Sequence, residues 1–205
     1  MEADVFGALM KGLHRPIYVY RLKELSRQII PFLRSGDRIL DVGCGFGELG
    51  KSLADGVDVS VLGIERVARG NELIPVVRYD GHDIPYPNRS FDVVILADVL
   101  HHEPQPERLI DECARVSSRL LVIKDHKANT WFQHKRVSLM DWAANIPYGV
   151  PCLYRYLSQD DWDSLHRRMN HRVIAKLNDM DLYPPLVNLI FGGKLQYMAI
   201  VNVAD

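Results

Sequence analysis

The sequence predicts a doubly wound α/β fold: a mostly parallel seven-stranded sheet with an antiparallel edge strand and helices on both faces. The middle of the chain carries short apolar runs rich in β-branched residues, helical patterns lie between these runs, and a glycine-rich turn follows the first of them. Continuous apolar runs are typical of strands buried on both faces. Their alternation with helices indicates right-handed βαβ units.

Seven strands are expected from the apolar runs. The first five should pair in parallel, and they span Arg38–Val42, Val59–Glu65, Val76–Asp80, Asp92–Ala97 and Leu120–Lys124. The last two, Arg172–Leu177 and Leu195–Val203, are separated by proline-rich and glycine-rich turns, and we expect them to form an antiparallel pair at the edge of the sheet.

Helices are predicted where apolar residues recur at helical spacing. Ser158 followed by Asp161 is an N-cap signature for a helix that runs to about Met169. A segment rich in Trp, Tyr and Phe shows no sustained period, and only a short helix near Val137–Ala144 is expected in it. The remaining predicted helices span Tyr18–Leu33, Gly47–Leu53 and Glu107–Ser117.

A length of 205 residues favours one domain, 1–205. Within it we expect N-terminal helices over 1–36 and a cofactor-binding core over 37–127. A lid-like insertion over 128–157 and a final segment over 158–205, with one helix and the last two strands, complete the prediction.

The composition limits the classes of binding partner and the cellular compartment that are expected for this protein. Lys and Arg total 25 against 26 Asp and Glu, so no global field attracts nucleic acid or an anionic membrane. The three cysteines are widely spaced, which disfavours a disulfide framework and a zinc site. Neither a signal peptide nor an apolar run long enough to span a membrane is evident. These features predict a cytoplasmic protein with a small-molecule partner and leave its oligomeric state open.

The strongest motif follows the first strand, where the chain reads Asp41-Val42-Gly43-Cys44-Gly45-Phe46-Gly47. Glycines there allow a sharp turn and a close approach of the backbone to a ligand, while the following helix offers unpaired N–H groups to an anion. Glu65 ends the second strand, where a carboxylate can accept hydrogen bonds from both ribose hydroxyls. The pattern predicts a nucleotide-like cofactor.

A second interpretation of the same loop stays open. Gly45, Gly47 and Gly50 form G-x-G-x-x-G, the dinucleotide fingerprint, which would indicate an NAD(P)-dependent oxidoreductase. That alignment leaves Asp41 and Gly43 without a role. A pattern that begins at Gly43 accounts for all of these residues, and we favour it.

The motifs together resemble class I S-adenosylmethionine-dependent methyltransferases, a Rossmann-like group, and within it the type 11, ubiquinone/menaquinone-biosynthesis-like family. The resemblance covers about residues 20–125. It rests on the segments Ile39–Gly47, Gly63–Glu65, Asp80–Asp92, Ala97–His102 and Glu112–Val116. A Lys-Pro-Gly-Gly turn usually precedes the fifth strand in this family, and Ser117-Ser118-Arg119 stands there instead.

The resemblance implies binding of S-adenosylmethionine and release of S-adenosylhomocysteine. It implies that the three loop glycines hold the methionyl part and that Glu65 holds the ribose. It also implies that Asp80, Gly81 and Ile84 surround the adenine, and that Asp98 and the Ala97 carbonyl face the methionine ammonium. The cofactor-binding set is Asp41, Gly43, Gly45, Gly47, Glu65, Asp80, Gly81, Ile84, Ala97 and Asp98.

Methyl transfer needs alignment and, for a hydroxyl nucleophile, a general base. His101 and His126 follow the fourth and fifth strands and are the candidate bases, with purely structural roles as the alternative. No metal site is expected, because the side chains of the neighbours His101 and His102 should point apart.

The acceptor itself is not identified by any motif. Aromatic residues beyond the sheet edge predict a small apolar or aromatic metabolite, although ordinary packing explains them equally well. A non-catalytic cofactor-binding module is the alternative from another functional class. The candidate substrate residues are Tyr18, Arg21, Trp131, Trp142 and Tyr183.

Overall fold

A computed structural model describes residues 2–67, 69–145 and 152–204. Seven strands form one sheet in the order β3-β2-β1-β4-β5-β7-β6. The strands are β1 Arg38–Val42, β2 Ser60–Glu65, β3 Val76–Arg78, β4 Phe91–Ala97, β5 Ser117–His126, β6 Arg172–Leu177 and β7 Gln196–Asn202. The helices are α1 Glu2–Ile29, α2 Glu48–Gly56, α3 Pro106–Val116, α4 Trp131–Asn145, α5 Gln159–Arg168 and α6 Pro185–Phe191.

The sheet is parallel from β3 to β5, and β7 runs antiparallel between β5 and β6. Alternate side chains of the central strands face opposite sides, as pleating requires. Ile39 faces the layer that contains α1 and α2, whereas Leu40 faces the layer that contains α3 and α5. Helices therefore bury both faces, and the predicted fold class is confirmed.

The carboxyl ends of the parallel strands meet at one edge, where ligands bind in open α/β sheets. Strand order reverses between β1 and β4, so the loops after these two strands leave toward opposite faces and open a crevice. Both predicted site segments, the glycine loop after β1 and the turn after β4, lie at this position.

Strand predictions agree with the structure to within a few residues, but β5 is longer than expected. It begins at Ser117, directly after α3, so Ser117-Ser118-Arg119 forms the start of a strand and not a turn. It also runs on to His126, which therefore belongs to a strand and not to a loop.

Three helix predictions need correction. Helix α1 begins at Glu2 and contains Pro16, well before the predicted start. Helix α4 occupies Trp131–Asn145, about twice the predicted length. The prediction was too short because the buried and exposed residues of this helix do not form a simple stripe. Helix α6 was not predicted: only proline-rich and glycine-rich turns are expected between the last two strands, yet proline suits the first turn of a helix.

The capping signature at Ser158 is confirmed. Its hydroxyl accepts from the Asp161 N–H, and the Asp161 carboxylate accepts from the Ser158 N–H, which is a capping box at the start of α5. The predicted lid-like segment 128–157 includes residues 146–151, which lie outside the described residues. No helix in the described part of the chain is long and apolar enough to cross a bilayer.

Candidate cofactor and catalytic site

The glycine loop after β1 contains three left-handed residues, Gly43, Gly45 and Gly47, and the last two are glycine for different reasons. Gly47 has φ +74°, and a Cβ there would lie 2.4 Å from the side chain of Ile74, so packing alone requires glycine. Gly45 has φ +57°, but a Cβ there would meet no atom within 4 Å. Gly45 therefore faces open space, as expected if the backbone there approaches a ligand.

Glu65 lies beside this loop and is buried at the end of β2. Its Oε2 accepts a hydrogen bond of 2.9 Å from the Gly45 N–H, and its Oε1 accepts one of 2.8 Å from the Arg66 N–H. The two motifs separated in the sequence are thus joined in the structure. This contact orients the carboxylate toward the crevice beside Gly45.

The segment predicted to surround adenine follows β3. Asp80 is exposed, and its Oδ1 accepts from the N–H groups of His82 (2.7 Å) and Asp83 (3.1 Å). Ile84 is buried in the sheet core. The Arg66 side chain, which the sequence analysis did not single out, lies over Gly81 and pairs with Glu103 at 3.2 Å. Its position directly after the strand acid is the only sequence signal for it.

Asp98 is the centre of a charged cluster where β4 ends. It has a positive φ of 58°, and its carboxylate pairs with Arg21 of α1 and with Lys124 of β5. The His126 Nε2 lies 3.6 Å from the same carboxylate. Burial, reinforced by the Arg21 charge, holds the pKa of Lys124 well below its usual range. Arg21, a candidate substrate residue, thus reaches the predicted methionyl end of the cofactor site.

His101 and His102 form a short 3-10 turn with Leu100 after β4. The His101 Nδ1 lies 2.6 Å from the Asp125 carboxylate, and its Nε2 lies 3.5 Å from the Asp141 carboxylate of α4. Burial lowers the pKa of His101, but the contacts with the Asp125 and Asp141 carboxylates together outweigh it and raise the pKa to about 9. Sequence analysis missed Asp125 and Asp141, because no motif contains them.

His126 differs from His101 in its partners. It is buried at the end of β5, and its Nδ1 has no hydrogen-bond partner. Burial, together with the neighbouring Lys124 charge, holds the pKa of His126 well below its usual range. Its ring centroid lies 5.1 Å from that of His101, so the two candidate bases do lie together beneath the sheet edge.

The remaining candidate substrate residues are dispersed. Trp131 and Trp142 on α4 are 74% and 41% exposed. Tyr183 is buried, and its hydroxyl donates to the Met140 sulfur at 3.3 Å. Tyr18 is half-buried next to Glu48, and burial raises its pKa to about 12. Only Arg21 among the predicted substrate residues contacts Asp98.

A sheet of this strand order, with a glycine loop after its first strand and an acid at the end of its second, defines the class I S-adenosylmethionine-dependent methyltransferases. Residues 14–176 match the family described as the Methyltransferase domain, and the chain belongs to that family.

Several known proteins are similar to this chain. The ubiquinone/menaquinone biosynthesis C-methyltransferase UbiE of Ralstonia pickettii is 26% identical over 94% of this chain and 87% of its own length. The 27-O-demethylrifamycin SV methyltransferase of Amycolatopsis mediterranei is 39% identical, but the match spans only 47% of this chain and 40% of that enzyme. An S-adenosylmethionine-dependent methyltransferase from Aquifex aeolicus has the same fold, with a TM-score of 0.62, 19% identity, and coverage of 97% and 98% of the two chains.

Asp41 gives a test of the electrostatics beneath the glycine loop. It is buried at the end of β1 with an Oδ2 that has no hydrogen-bond partner, and burial raises its pKa from 3.8 to about 7. The folded state therefore retains a proton that the unfolded chain releases near pH 4. Stability consequently falls as pH rises from about 4 to about 7, by on the order of 4 kcal/mol in total.

We expect Asp41→Asn to remove this part of the pH dependence. The free energy of unfolding of the variant should therefore increase relative to that of the parent chain as pH rises from about 4 to about 7. Urea unfolding at several pH values measures it. Asp55→Asn, at an exposed position, serves as the control. A parallel pH dependence of the parent chain and Asp41→Asn would contradict the assignment.

Proposed function

We propose that this protein transfers a methyl group from S-adenosylmethionine to a small apolar or aromatic acceptor. The observation that carries the proposal is the contact of the open Gly45 backbone with the buried Glu65, at the same sheet edge as the charged Asp98 cluster. S-adenosylmethionine presents ribose hydroxyls, a sulfonium centre and an amino-acid end, and this edge offers partners for the ribose hydroxyls and for the amino-acid end.

The residues present fit the cofactor. Glu65 would accept from the ribose hydroxyls, and the space beside Gly45 would take the chain that links the ribose to the amino-acid end. Asp80 has a second carboxylate oxygen to accept from the adenine amino group. The cofactor supplies an electrophilic methyl group on a sulfonium, so the protein mainly has to orient the acceptor and exclude water.

Arg21 extends the proposal beyond the family pattern. An amino-acid end carries a carboxylate as well as an ammonium, and the cluster after β4 contains both signs of charge. We infer that Asp98 accepts from the ammonium and that Arg21 donates to the carboxylate. Helix α1 would then contribute to cofactor binding through the residue that now pairs with Asp98.

The surface beyond the sheet edge supports an apolar acceptor. Helices α4 and α6 contact each other and expose large apolar side chains, which form a patch uncommon on a solvated surface. The patch includes Trp131, Phe132, Leu139, Trp142, Leu186, Leu189 and Ile190. We propose that this region, within the lid-like segment and the final segment of one domain, covers the acceptor.

The proposed setting is cytoplasmic. Cys44, Cys113 and Cys152 form no disulfide with one another, which supports a reducing compartment. The similar enzymes are named as a ubiquinone/menaquinone biosynthesis C-methyltransferase and a 27-O-demethylrifamycin SV methyltransferase.

Cofactor binding is tested by thermal unfolding. We expect S-adenosylmethionine and S-adenosylhomocysteine to raise the melting temperature and NADH to leave it unchanged, because a ligand that binds the folded state stabilises it. Glu65→Gln should reduce the shift, since an amide cannot accept from both ribose hydroxyls as a carboxylate does.

Gly45→Ala and Gly47→Ala separate cofactor binding from folding. Both place alanine at positive φ, at a cost of roughly 1–2 kcal/mol, but only the Gly47 variant also creates a clash, with Ile74. Gly45→Ala should therefore fold and lose most of the cofactor shift. A shift with NADH alone would overturn the proposal.

Arg21→Gln tests the role of α1. Loss of a charge-assisted hydrogen bond to the cofactor carboxylate should weaken S-adenosylhomocysteine binding by about tenfold or more, as measured by isothermal titration calorimetry. Arg27→Gln, an exposed position on the same helix, should have no effect. Tighter binding by Arg21→Gln would instead mean that Arg21 competes with the cofactor ammonium for Asp98.

For a hydroxyl acceptor, we propose His126 as the general base in preference to His101. His101 already uses its Nδ1 on Asp125, whereas the His126 Nδ1 is unpartnered and its Nε2 faces Asp98. His126→Gln should lower turnover about 100-fold or more while S-adenosylhomocysteine affinity changes little.

The measurement is S-adenosylhomocysteine formation with catechol, hydroquinone and naphthohydroquinone as acceptors. His171→Gln is the control, since His171 pairs with His166 away from Asp98. Equal turnover of His126→Gln and the parent chain would remove His126 from the proposal.

A further inference from the structure

We propose that His101, His102 and Asp141 form a binding site for one divalent transition-metal ion of the zinc type. One ligand atom from each residue lies within 4.8 Å of the other two. The distances to the Asp141 Oδ1 are 3.5 Å from the His101 Nε2 and 4.0 Å from the His102 Nε2. The proposal stands on these contacts and does not depend on the proposed methyl transfer.

The spacing suits a tetrahedral ion. Ligands about 2.0–2.1 Å from a zinc ion lie about 3.3 Å from each other at tetrahedral angles, so small rotations of the two imidazoles would close the cluster. From the sequence, the side chains of neighbouring histidines are expected to point apart. The short 3-10 turn instead holds the two rings 4.0 Å apart, and both face Asp141.

Further contacts already orient two of the proposed ligands. The Asp125 carboxylate lies 2.6 Å from the His101 Nδ1, so a proton on Nδ1 leaves the Nε2 lone pair directed at the cluster. This is the carboxylate–histidine–metal arrangement of many metalloproteins. The Asp141 Oδ2 accepts from the Tyr156 hydroxyl at 2.6 Å, and its Oδ1 accepts from the Asn145 Nδ2 at 2.5 Å. A carboxylate oxygen has two lone pairs, so Oδ1 can still bind the ion.

Burial supports a ligand for this cluster. The His101 side chain is 3% exposed, and its Nε2 is a buried polar atom without a hydrogen-bond partner. Unsatisfied buried polar atoms are rare in native proteins and call for an explanation. The His102 side chain is 22% exposed, so the cluster has a path to solvent.

The donor set favours Zn²⁺ or Co²⁺ over Mg²⁺. Two imidazoles suit the later transition metals, whereas Mg²⁺ prefers oxygen ligands. Three protein ligands leave one position for water or another oxygen, as in catalytic zinc sites. A bound ion would also join helix α4 to the turn after β4, beside the part of the cofactor site that is predicted to hold the methionyl group.

Cobalt binding to the chelator-treated full chain, without any cofactor, tests the site. We expect one equivalent of Co²⁺ to bind with the visible absorption of a tetrahedral complex, Zn²⁺ to displace it, and Zn²⁺ to raise the melting temperature. His102→Gln and Asp141→Asn should each weaken binding by more than about 100-fold. Asp125→Asn should weaken it about 10–100-fold, as other outer-shell changes do.

His171→Gln is the matched control, because His166 and His171 form a close histidine pair outside the cluster, with Nδ1 atoms 2.9 Å apart. Far-UV circular dichroism of the metal-free variants checks that each is folded. Because His102 is the most solvent-exposed of the three ligands, His102→Gln is the substitution expected to disturb folding least. Binding that survives in both His102→Gln and Asp141→Asn, binding that is lost in His171→Gln, or the absence of a tetrahedral cobalt spectrum would overturn the proposal. None of these outcomes bears on cofactor binding, which is measured separately.

Discussion

Parallel pairing of β1 with both β2 and β4 is the constraint on which the site depends. Because all three strands run in one direction, their carboxyl ends converge, and residues far apart in the sequence become neighbours. Gly45 reaches Glu65 in this way, and Asp98 faces the same crevice. Helices on both faces hold the strands in register by burying nearly every central side chain.

Charge burial is concentrated at the same edge. Lys124 and Asp125 are neighbours on β5 and point to opposite faces, so one pairs with Asp98 and the other with His101. Burying ions is costly unless each has a partner, and alternation along a strand supplies two separate partners from consecutive residues. The edge thereby gains an α1-facing half around Asp98 and an α4-facing half around His101.

These two halves differ in the chemistry that their side chains can support. The first half combines opposite charges with an open glycine backbone, which suits an amino-acid and nucleoside ligand. The second half collects imidazoles and carboxylates beneath α4, which suits proton transfer or a metal ion. His126 lies between the two, 3.6 Å from Asp98 and with its ring 5.1 Å from that of His101.

Short apolar runs were enough to predict the sheet, since an unbroken run of this length is compatible with few structures other than a buried strand. The end of the chain was harder. Helix α4 mixes buried Val137 and Asp141 with exposed Trp131, and α6 leaves most of its apolar residues exposed, so neither shows the stripe of a helix packed on a core. Their positions depend on their contacts with each other and, for α4, on the approach of Asp141 to His101, and no local pattern encodes these contacts.

The sequence by itself determined the fold class, the family and the glycine-loop motif, because each depends on local spacing: apolar periodicity, glycine at positive φ and an acid at a strand end. Only the tertiary structure decided which distant side chains meet. Arg21 with Asp98, and Asp141 with His101, are 77 and 40 residues apart in the chain, and packing of α1 and α4 across the sheet edge brings each pair together. Such pairings are set by the sum of many packing contacts, and so they leave no signal in the spacing of any one segment.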